Sequence, residues 1–324
     1  RQNKEVTLVE GNMGLYDGLS LDGSDSNAAM AKLLNLPVIM VIDSSGTSRG
    51  IAPLLNGYQQ FDSELNFAGV ILNKIAGNRH ETKLREVIEA YTDFKILGAV
   101  PRDNGIQLTE RHLGLIPSNE VADTSESIIQ QLAERVNQYV DIDSLLSVPD
   151  ITPKTPFSFP LTSATVEQNN SIRIAVAMDE AFGFYYPDDM DRFKELNVEI
   201  VPFNCMTDKA LPNDIDGLFI GGGFPETQLK RLSGNTSMRH SVKQSLQQNL
   251  PCYAECGGLM YLCEELVDEA ERYPLCGIIP AKAAMNKRPQ GRGYVKLEAT
   301  DCHPWKEQVN IQTSGITSAH EFHY

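Results

Sequence analysis

Few features that mark a membrane-spanning, nucleic-acid-binding or disulfide-stapled protein occur in this chain of 324 residues. No apolar run approaches the roughly 18 to 20 residues that a bilayer-crossing helix needs. The polar start Arg1-Gln2-Asn3-Lys4-Glu5 has no resemblance to a secretory signal. Basic residues are scarce: 28 Lys and Arg stand against 43 Asp and Glu, a formal charge of -15. Such acidity disfavours a partner bound through its phosphate backbone, though a local basic pocket for one small anion is still allowed. The six cysteines (Cys205, Cys252, Cys256, Cys263, Cys276 and Cys302) all lie in the second half and contain no C-x-x-C pair, which argues against a zinc knuckle or a disulfide framework. Reduced thiols in the cytoplasm are the expectation. Internal repeats are lacking too. So is the phosphate-binding pattern Gly-x-x-x-x-Gly-Lys-[Ser/Thr]: the nearest stretch, Gly46-Thr-Ser-Arg-Gly50, has neither the Lys nor the spacing.

What is present reads as a two-domain globular protein. Hydrophobic residues make up 41% and charged residues 22%, which excludes wholesale disorder, and the length suits two domains. In the first half, short runs rich in branched residues at 6–9, 37–42, 68–72 and 96–100 alternate with helical spacing at 27–34, 51–58 and 81–91, and a helix at 120–140 closes it. That alternation predicts a parallel sheet with crossover helices. The pattern stops between 147 and 170, where four prolines sit among many Ser and Thr residues. It resumes with strands at 172–178, 199–203, 217–220 and 251–254 and a helix at 238–248. The expected domains are therefore 1–146 and 171–324, joined by a linker at 147–170, each an α/β open parallel sheet.

In the second half, Leu250-Pro-Cys-Tyr-Ala-Glu-Cys-Gly-Gly-Leu-Met-Tyr-Leu262 runs from a strand straight into an apolar helix, with Cys256 at the junction. A strand-turn-helix elbow needs small residues, which Gly257 and Gly258 supply. A thiol at a helix N-terminus is expected to favour the thiolate, so Cys256 is a candidate nucleophile. By itself it also fits a small buried residue. Upstream, the strand before Gly221-Gly-Gly-Phe-Pro-Glu226 ends in bare backbone, and the N–H of Gly222 or Gly223 with that of Gly257 would form an oxyanion hole. A base is needed, and His320 and His323 in Ser318-Ala-His-Glu-Phe-His-Tyr324 are the candidates.

In the first half, Val6-Thr-Leu-Val-Glu-Gly-Asn-Met-Gly-Leu-Tyr-Asp-Gly18 would deliver Glu10 to a strand's carboxyl end, followed by a glycine-punctuated loop carrying Asp17. Ligands bind at that edge of open parallel sheets, and a carboxylate there suits Mg²⁺ on nucleotide phosphates. A turn-forming Asp and a solvated Glu fit the same spacing. Asn73, in Gly69-Val-Ile-Leu-Asn-Lys-Ile75, carries an amide able to donate to and accept from an adenine edge, or to cap the next turn. Asp43-Ser-Ser-Gly-Thr-Ser-Arg49 is a polar connection between strand and helix.

These blocks carry a resemblance. Those around Gly221 to Glu226, Tyr253 to Leu262 and His320 to Tyr324 resemble the class I type glutamine amidotransferase domain of the cobyrinate synthase group. The segment from Val9 to Gly18 resembles that group's Val-Glu-Gly-x-Met-Gly-Leu-x-Asp-Gly signature, set in a P-loop NTPase-like (dethiobiotin synthetase-like) fold, and Met178-Asp-Glu-Ala-Phe-Gly-Phe-Tyr-Tyr-Pro-Asp188 is similar to another of its blocks. The resemblance spans nearly the whole chain, and it implies a flavodoxin-like amidotransferase domain after the ATPase domain. It also implies a carbon-nitrogen ligase that amidates the a- and c-acetate carboxylates of cobyrinic acid in cobalamin biosynthesis, with glutamine and ATP as co-substrates and Mg²⁺ as metal. By the same resemblance, Cys256 and His323 would be the catalytic pair, Gly222, Gly223 and Gly257 the oxyanion donors, Glu10 a Mg²⁺ ligand, Asp17 the group that positions the substrate carboxylate or its acyl phosphate, and Asn73 the adenine contact. Tyr185 and Tyr186 would line the interface between active sites, or serve as core and rim packing. Assembly into a homo-oligomer is allowed. Alternatives are the same chemistry on another tetrapyrrole, such as nickel-sirohydrochlorin or hydrogenobyrinate, or a nucleotide or tetrapyrrole binder without catalysis. The absent phosphate loop, with a chain that stops one residue after His323, gives the expectation that the chain is cut at both ends and fails, as it stands, at ATP-dependent amidation.

Overall fold

The computed structural model describes residues 6–103, 105, 110–111, 114–115, 122–148, 171–302 and 316–323. They form two compact units, and most of the expected linker lies outside the described residues.

The first unit contains α1 (Asn27–Leu33), β1 (Val38–Asp43), α2 (Ile51–Phe61), β2 (Phe67–Ile75), α3 (Asn78–Tyr91), β3 (Ile96–Pro101), the two-residue strands β4 (Glu110–Arg111) and β5 (Gly114–Leu115), α4 (Ala122–Tyr139) and α5 (Ile142–Leu146). Strands β1, β2 and β3 form a parallel sheet in that order. Parallel neighbours need a crossover, and α2 and α3 provide it, burying Ile51, Leu55, Leu84 and Ile88 in one cluster with Val70, Leu72 and Ile75. At Gly98 a Cβ would lie 2.8 Å from the Tyr139 carbonyl oxygen. Its absence lets the end of α4 close on β3, where the Asp141 N–H donates to Leu97 O at 2.8 Å.

The strand expected at 6–9 does not form. Val6, Leu8 and Val9 are exposed in irregular chain. Among the described residues no neighbouring strand offers the segment a ladder, and a lone extended stretch leaves its backbone groups to water. The loop after it is nonetheless built in detail. Tyr16 donates to Tyr58 O at 2.5 Å and stacks on the Tyr58 ring, and the Ala28 N–H donates to Leu15 O at 2.8 Å.

The second unit runs β6 (Ile172–Ala177), α6 (Pro187–Glu195), β7 (Val198–Phe203), β8 (Gly217–Ile220), α7 (Leu229–Gly234), α8 (Thr236–Gln247), β9 (Cys252–Ala254), α9 (Gly257–Leu262), β10 (Cys263–Asp268), β11 (Glu271–Pro274), β12 (Ile279–Ala284), β13 (Gly291–Glu298) and β14 (Ile316–His323). Its parallel sheet has the order β7-β6-β8-β9. The chain leaves β6 to one side for β7 and returns to the other for β8, so a topological switch lies at the carboxyl ends of β6 and β8, where open sheets hold ligands. Phe182, Ile220, Leu232, Met238 and Tyr261 are fully buried in the core below. A second sheet of order β11-β10-β12 and an antiparallel hairpin of β13 with β14 follow the elbow. Among the described residues no helix is long and apolar enough to cross a membrane.

Candidate active site

Strand β9 ends at Ala254, and α9 begins at Gly257. Between them Cys256 adopts φ 49° and ψ -114°, a backbone conformation that disfavours any side chain with a Cβ. Close packing holds it there. A Cβ on Gly258 would collide with the Ile220 carbonyl oxygen, and one on Gly223 would collide with that of Ala181. The start of α9, the end of β8 and the chain at 181–184 therefore approach as only glycine permits.

The backbone N–H groups of Gly223 and Gly257 bear on the Cys256 thiol and favour its charged form. The Gly222 carbonyl accepts from the Gly183 and Phe184 N–H groups, each at 3.1 Å. The thiol is nevertheless pushed up from the ordinary cysteine range. Loss of hydration is the largest cause, the Glu226 and Glu255 carboxylates add to it, and the two N–H groups oppose it. This direction runs against the expected thiolate, although the Cys256 side chain is exposed: α9 is only six residues long, and its terminus opposes the shift without reversing it.

A buried carboxyl and a half-buried phenol brace the strip. Asp179 accepts from the N–H groups of Ala181 (2.8 Å), Phe182 (3.1 Å) and Cys205 (2.7 Å), while burial pushes its carboxyl up. Tyr185 donates to Ala177 O at 2.5 Å and accepts from the Gly221 N–H at 3.0 Å, so it ties the end of β6 to the glycine strip. Tyr186 points to solvent.

The structure holds His320 and His323 on β14, both exposed. His323 Nε2 lies 2.8 Å from Glu321 Oε1, its neighbour two residues away on the same face of the strand. Gly291, the register partner of His323, leaves the room that this pair fills. His320 meets the Tyr294 ring edge-on. Among the described residues no hydrogen bond or ion pair joins either histidine to Cys256.

In the first unit, the carboxyl ends of the strands gather a polar cluster. Asp43 and Asn73 are register partners. Lys74, at φ 58°, swings its Nζ to 2.7 Å from Asp43 Oδ2, and the Ser45 N–H donates to Asp43 Oδ1 at 2.9 Å. Lys74 first, then Ser45, hold the Asp43 carboxyl far below the usual carboxylate range. Arg102, just past β3, donates to Ser45 Oγ at 2.8 Å. Asn73 Oδ1 accepts from the Lys74 N–H at 2.8 Å. Glu10 and Asp17 are exposed on the loop before α1, and no hydrogen bond or ion pair joins them to this cluster. Arg49 lies over the Tyr91 ring at 5.1 Å. Lys74 and Arg102 were not singled out from sequence, although each follows a strand end at the edge where ligands bind.

Comparison with known proteins agrees with both halves. Residues 173–324 match the model of the CobB/CobQ-like glutamine amidotransferase domain, and residues 1–109 match that of an AAA domain. The cobyrinate a,c-diamide synthase of Magnetococcus marinus is 38% identical over 332 residues, covering 100% of this chain and 68% of that protein. That of Caldanaerobacter subterraneus is 38% identical over 321 residues (99% and 69%), and that of a Synechococcus is 39% identical over 327 residues (99% and 69%). The likeness runs through the ATPase-like half as well as the amidotransferase half, and the chain belongs to the cobyrinate a,c-diamide synthase family.

Proposed function

We propose that the chain performs the reaction for which its relatives are named, the glutamine- and ATP-dependent amidation of the a- and c-acetate carboxylates of cobyrinic acid. The observation that carries this reading is the elbow, which sets Cys256 on a strained turn between β9 and α9 beside the close-packed glycine strip.

The Cys256 thiolate attacks the carboxamide carbon of glutamine, and the carbonyl electrons move onto oxygen, where N–H groups of the glycine strip receive the charge. The N–H groups of Gly222, Gly223 and Gly257 are the donors of this reading, and those of Gly223 and Gly257 favour charge at the thiol. His323 takes the thiol proton and returns it to the leaving nitrogen as ammonia departs. Water then releases glutamate. For this, hairpin β13–β14 brings His323 to the elbow, with Glu321 as its neighbour.

In the first unit ATP converts a carboxylate to an acyl phosphate. Ammonia displaces phosphate, a far better leaving group than the oxide of a carboxylate. Asn73 meets the adenine edge, and Asp17 positions the substrate carboxylate. Mg²⁺ keeps several waters and takes only one or two protein carboxylates besides phosphate oxygens. The exposed carboxylate of Glu10, a hard oxygen donor outside any group of three metal-binding side chains among the described residues, fits that demand. When bound, the ion would neutralise charge on the transferring phosphoryl group.

The test supplies the full-length protein with ATP, glutamine and cobyrinic acid, and then replaces glutamine with ammonium. Cys256→Ser should lose the glutamine-dependent reaction and keep the ammonium-dependent one. Glutaminase activity surviving in C256S would refute the cysteine mechanism, and turnover of a non-corrin macrocycle alone would refute the substrate.

A further inference from the structure

His80 is not used by the reaction as described. It is the third residue of α3, half-buried, and its ring spans two loops. Nδ1 accepts from the Ala76 N–H at 3.1 Å in the loop between β2 and α3, and Nε2 lies 2.6 Å from the Thr47 carbonyl oxygen in the loop between β1 and α2. An N–H only donates and a carbonyl only accepts. Both bonds therefore form in one state of the ring, neutral with its proton on Nε2. The other tautomer sets a lone pair against the Thr47 oxygen and an N–H against the Ala76 N–H. The imidazolium keeps the bond to the Thr47 oxygen and loses the one from the Ala76 N–H.

The two loops leave the carboxyl ends of β1 and β2. One begins at Asp43 and Ser45; the other follows Asn73 and Lys74. The Asp43–Lys74 ion pair crosses the same gap, but both side chains are 53% exposed, so water and salt weaken it as a spacer. The imidazole tie has backbone partners on both sides, which set loop position directly, and its bond to Thr47 is part-buried.

We propose that His80 is a positioning residue for nucleotide binding: an uncharged clasp that fixes the spacing of the two loops, so that a nucleoside triphosphate meets Asn73, Lys74 and Arg102 already in place. The proposal rests on the reading that this edge takes ATP.

Three variants of the full-length protein separate the clasp from its surroundings. His80→Gln keeps one donor and one acceptor, His80→Phe keeps the ring and drops both, and His80→Ala drops everything. With ammonium as nitrogen source, so that Cys256 is bypassed, KM for ATP rises about tenfold in H80F and H80A, the scale of one or two lost hydrogen bonds, while kcat changes by less than about threefold. H80Q stays within about threefold of wild type on both parameters. A wild-type KM in H80F, or equal damage in H80Q and H80A, overturns the proposal. Nitrogen-15 NMR of the ring gives a readout that needs no nucleotide. The Nε2–H tautomer is expected, with the Ala76 amide protected from exchange in wild type and H80Q and unprotected in H80F; an Nδ1–H tautomer overturns the clasp. If the tautomer is as expected but wild-type protein binds no ATP, the reading of this edge fails, and the nucleotide role of His80 falls with it.

Discussion

Two adjacent glycines give the sharpest test of the elbow, because the structure assigns them different consequences. A Cβ on Gly223 would lie 2.9 Å from the Ala181 carbonyl carbon and 3.0 Å from Phe182 Cα, and closer still to the Ala181 oxygen. These are backbone atoms, fixed by the three N–H bonds that Asp179 accepts, so the strip itself has to move. A Cβ on Gly222 would meet the Phe184 ring at 3.3 Å and Cys256 Cβ at 3.6 Å, and the Phe184 ring is partly exposed and able to turn aside. Gly223→Ala should therefore cost about 1–3 kcal/mol of stability, as overpacking of a tight site does. It should also withdraw one N–H from the reacting centre, which lowers kcat for glutamine hydrolysis by about 10²- to 10³-fold. Gly222→Ala should stay within about threefold of wild type, since it displaces only a side chain. The assay is glutamate release at saturating glutamine, with the ammonium-dependent reaction and a thermal melt measured on the same preparations. G223A that hydrolyses glutamine at the wild-type rate, or G222A that loses as much as G223A, would refute the assignment of the oxyanion donors.

Three further outcomes follow from the same geometry. The raised Cys256 thiol leaves little thiolate at neutral pH, so its alkylation by iodoacetamide, followed by site-resolved mass spectrometry, should be slow there and accelerate as pH climbs past the ordinary cysteine range; Glu226→Gln removes one of the upward causes and should speed alkylation at any fixed pH below the plateau. A fast, pH-independent reaction at neutrality would contradict this. Asp179→Ala strips the acceptor from three N–H groups in a site where Asp179 is 8% exposed, and should cost about 2 kcal/mol or more in denaturant unfolding; an unchanged midpoint would show that water replaces the carboxylate. Tyr185→Phe cuts the tie between Ala177 O and the Gly221 N–H, and should lower both stability, by about 1 kcal/mol, and glutaminase kcat, with ammonium-dependent turnover unchanged.

Much of this was legible in the sequence where local pattern and tertiary packing agree. The run Gly217–Ile220 is a strand in both, because it is apolar, bounded by Asp216 and three glycines, and sits in the middle of a sheet. The elbow was legible for a related reason: only a sharp turn makes use of Cys256, Gly257 and Gly258 between a strand and an apolar helix. Residues 6–9 have the same apolar character and form no strand, since composition does not say whether a neighbour stands at hydrogen-bonding distance. The thiol's direction was missed because it depends on hydration and on Glu226, thirty residues upstream, which sequence reading had not linked to Cys256. His80 was missed because its function is a distance between Thr47 and Ala76, and nothing local in Asn78-Arg-His80 encodes that.

The upward thiol and the separate histidine belong to one argument. A thiol pushed up in this way is slow to attack adventitious electrophiles; loss of hydration is the main cause, and the carboxylates of Glu226 and Glu255 add to it. The Gly223 and Gly257 N–H groups weigh against these effects but do not outweigh them, so the balance tips only when a base takes the proton and leaves a cation beside sulfur. An imidazolium within ~4–6 Å of the thiolate favours the charged form, opposing the effect of the two carboxylates. His323, carried on a hairpin and held at 2.8 Å by Glu321, is the group of that kind the resemblance assigns to this role. If its arrival is what arms the site, then His323→Ala should leave the slow alkylation of Cys256 in the resting protein unchanged, yet abolish the acceleration of that alkylation by bound glutamine analogues. Equal acceleration in both proteins would mean that the elbow arms itself.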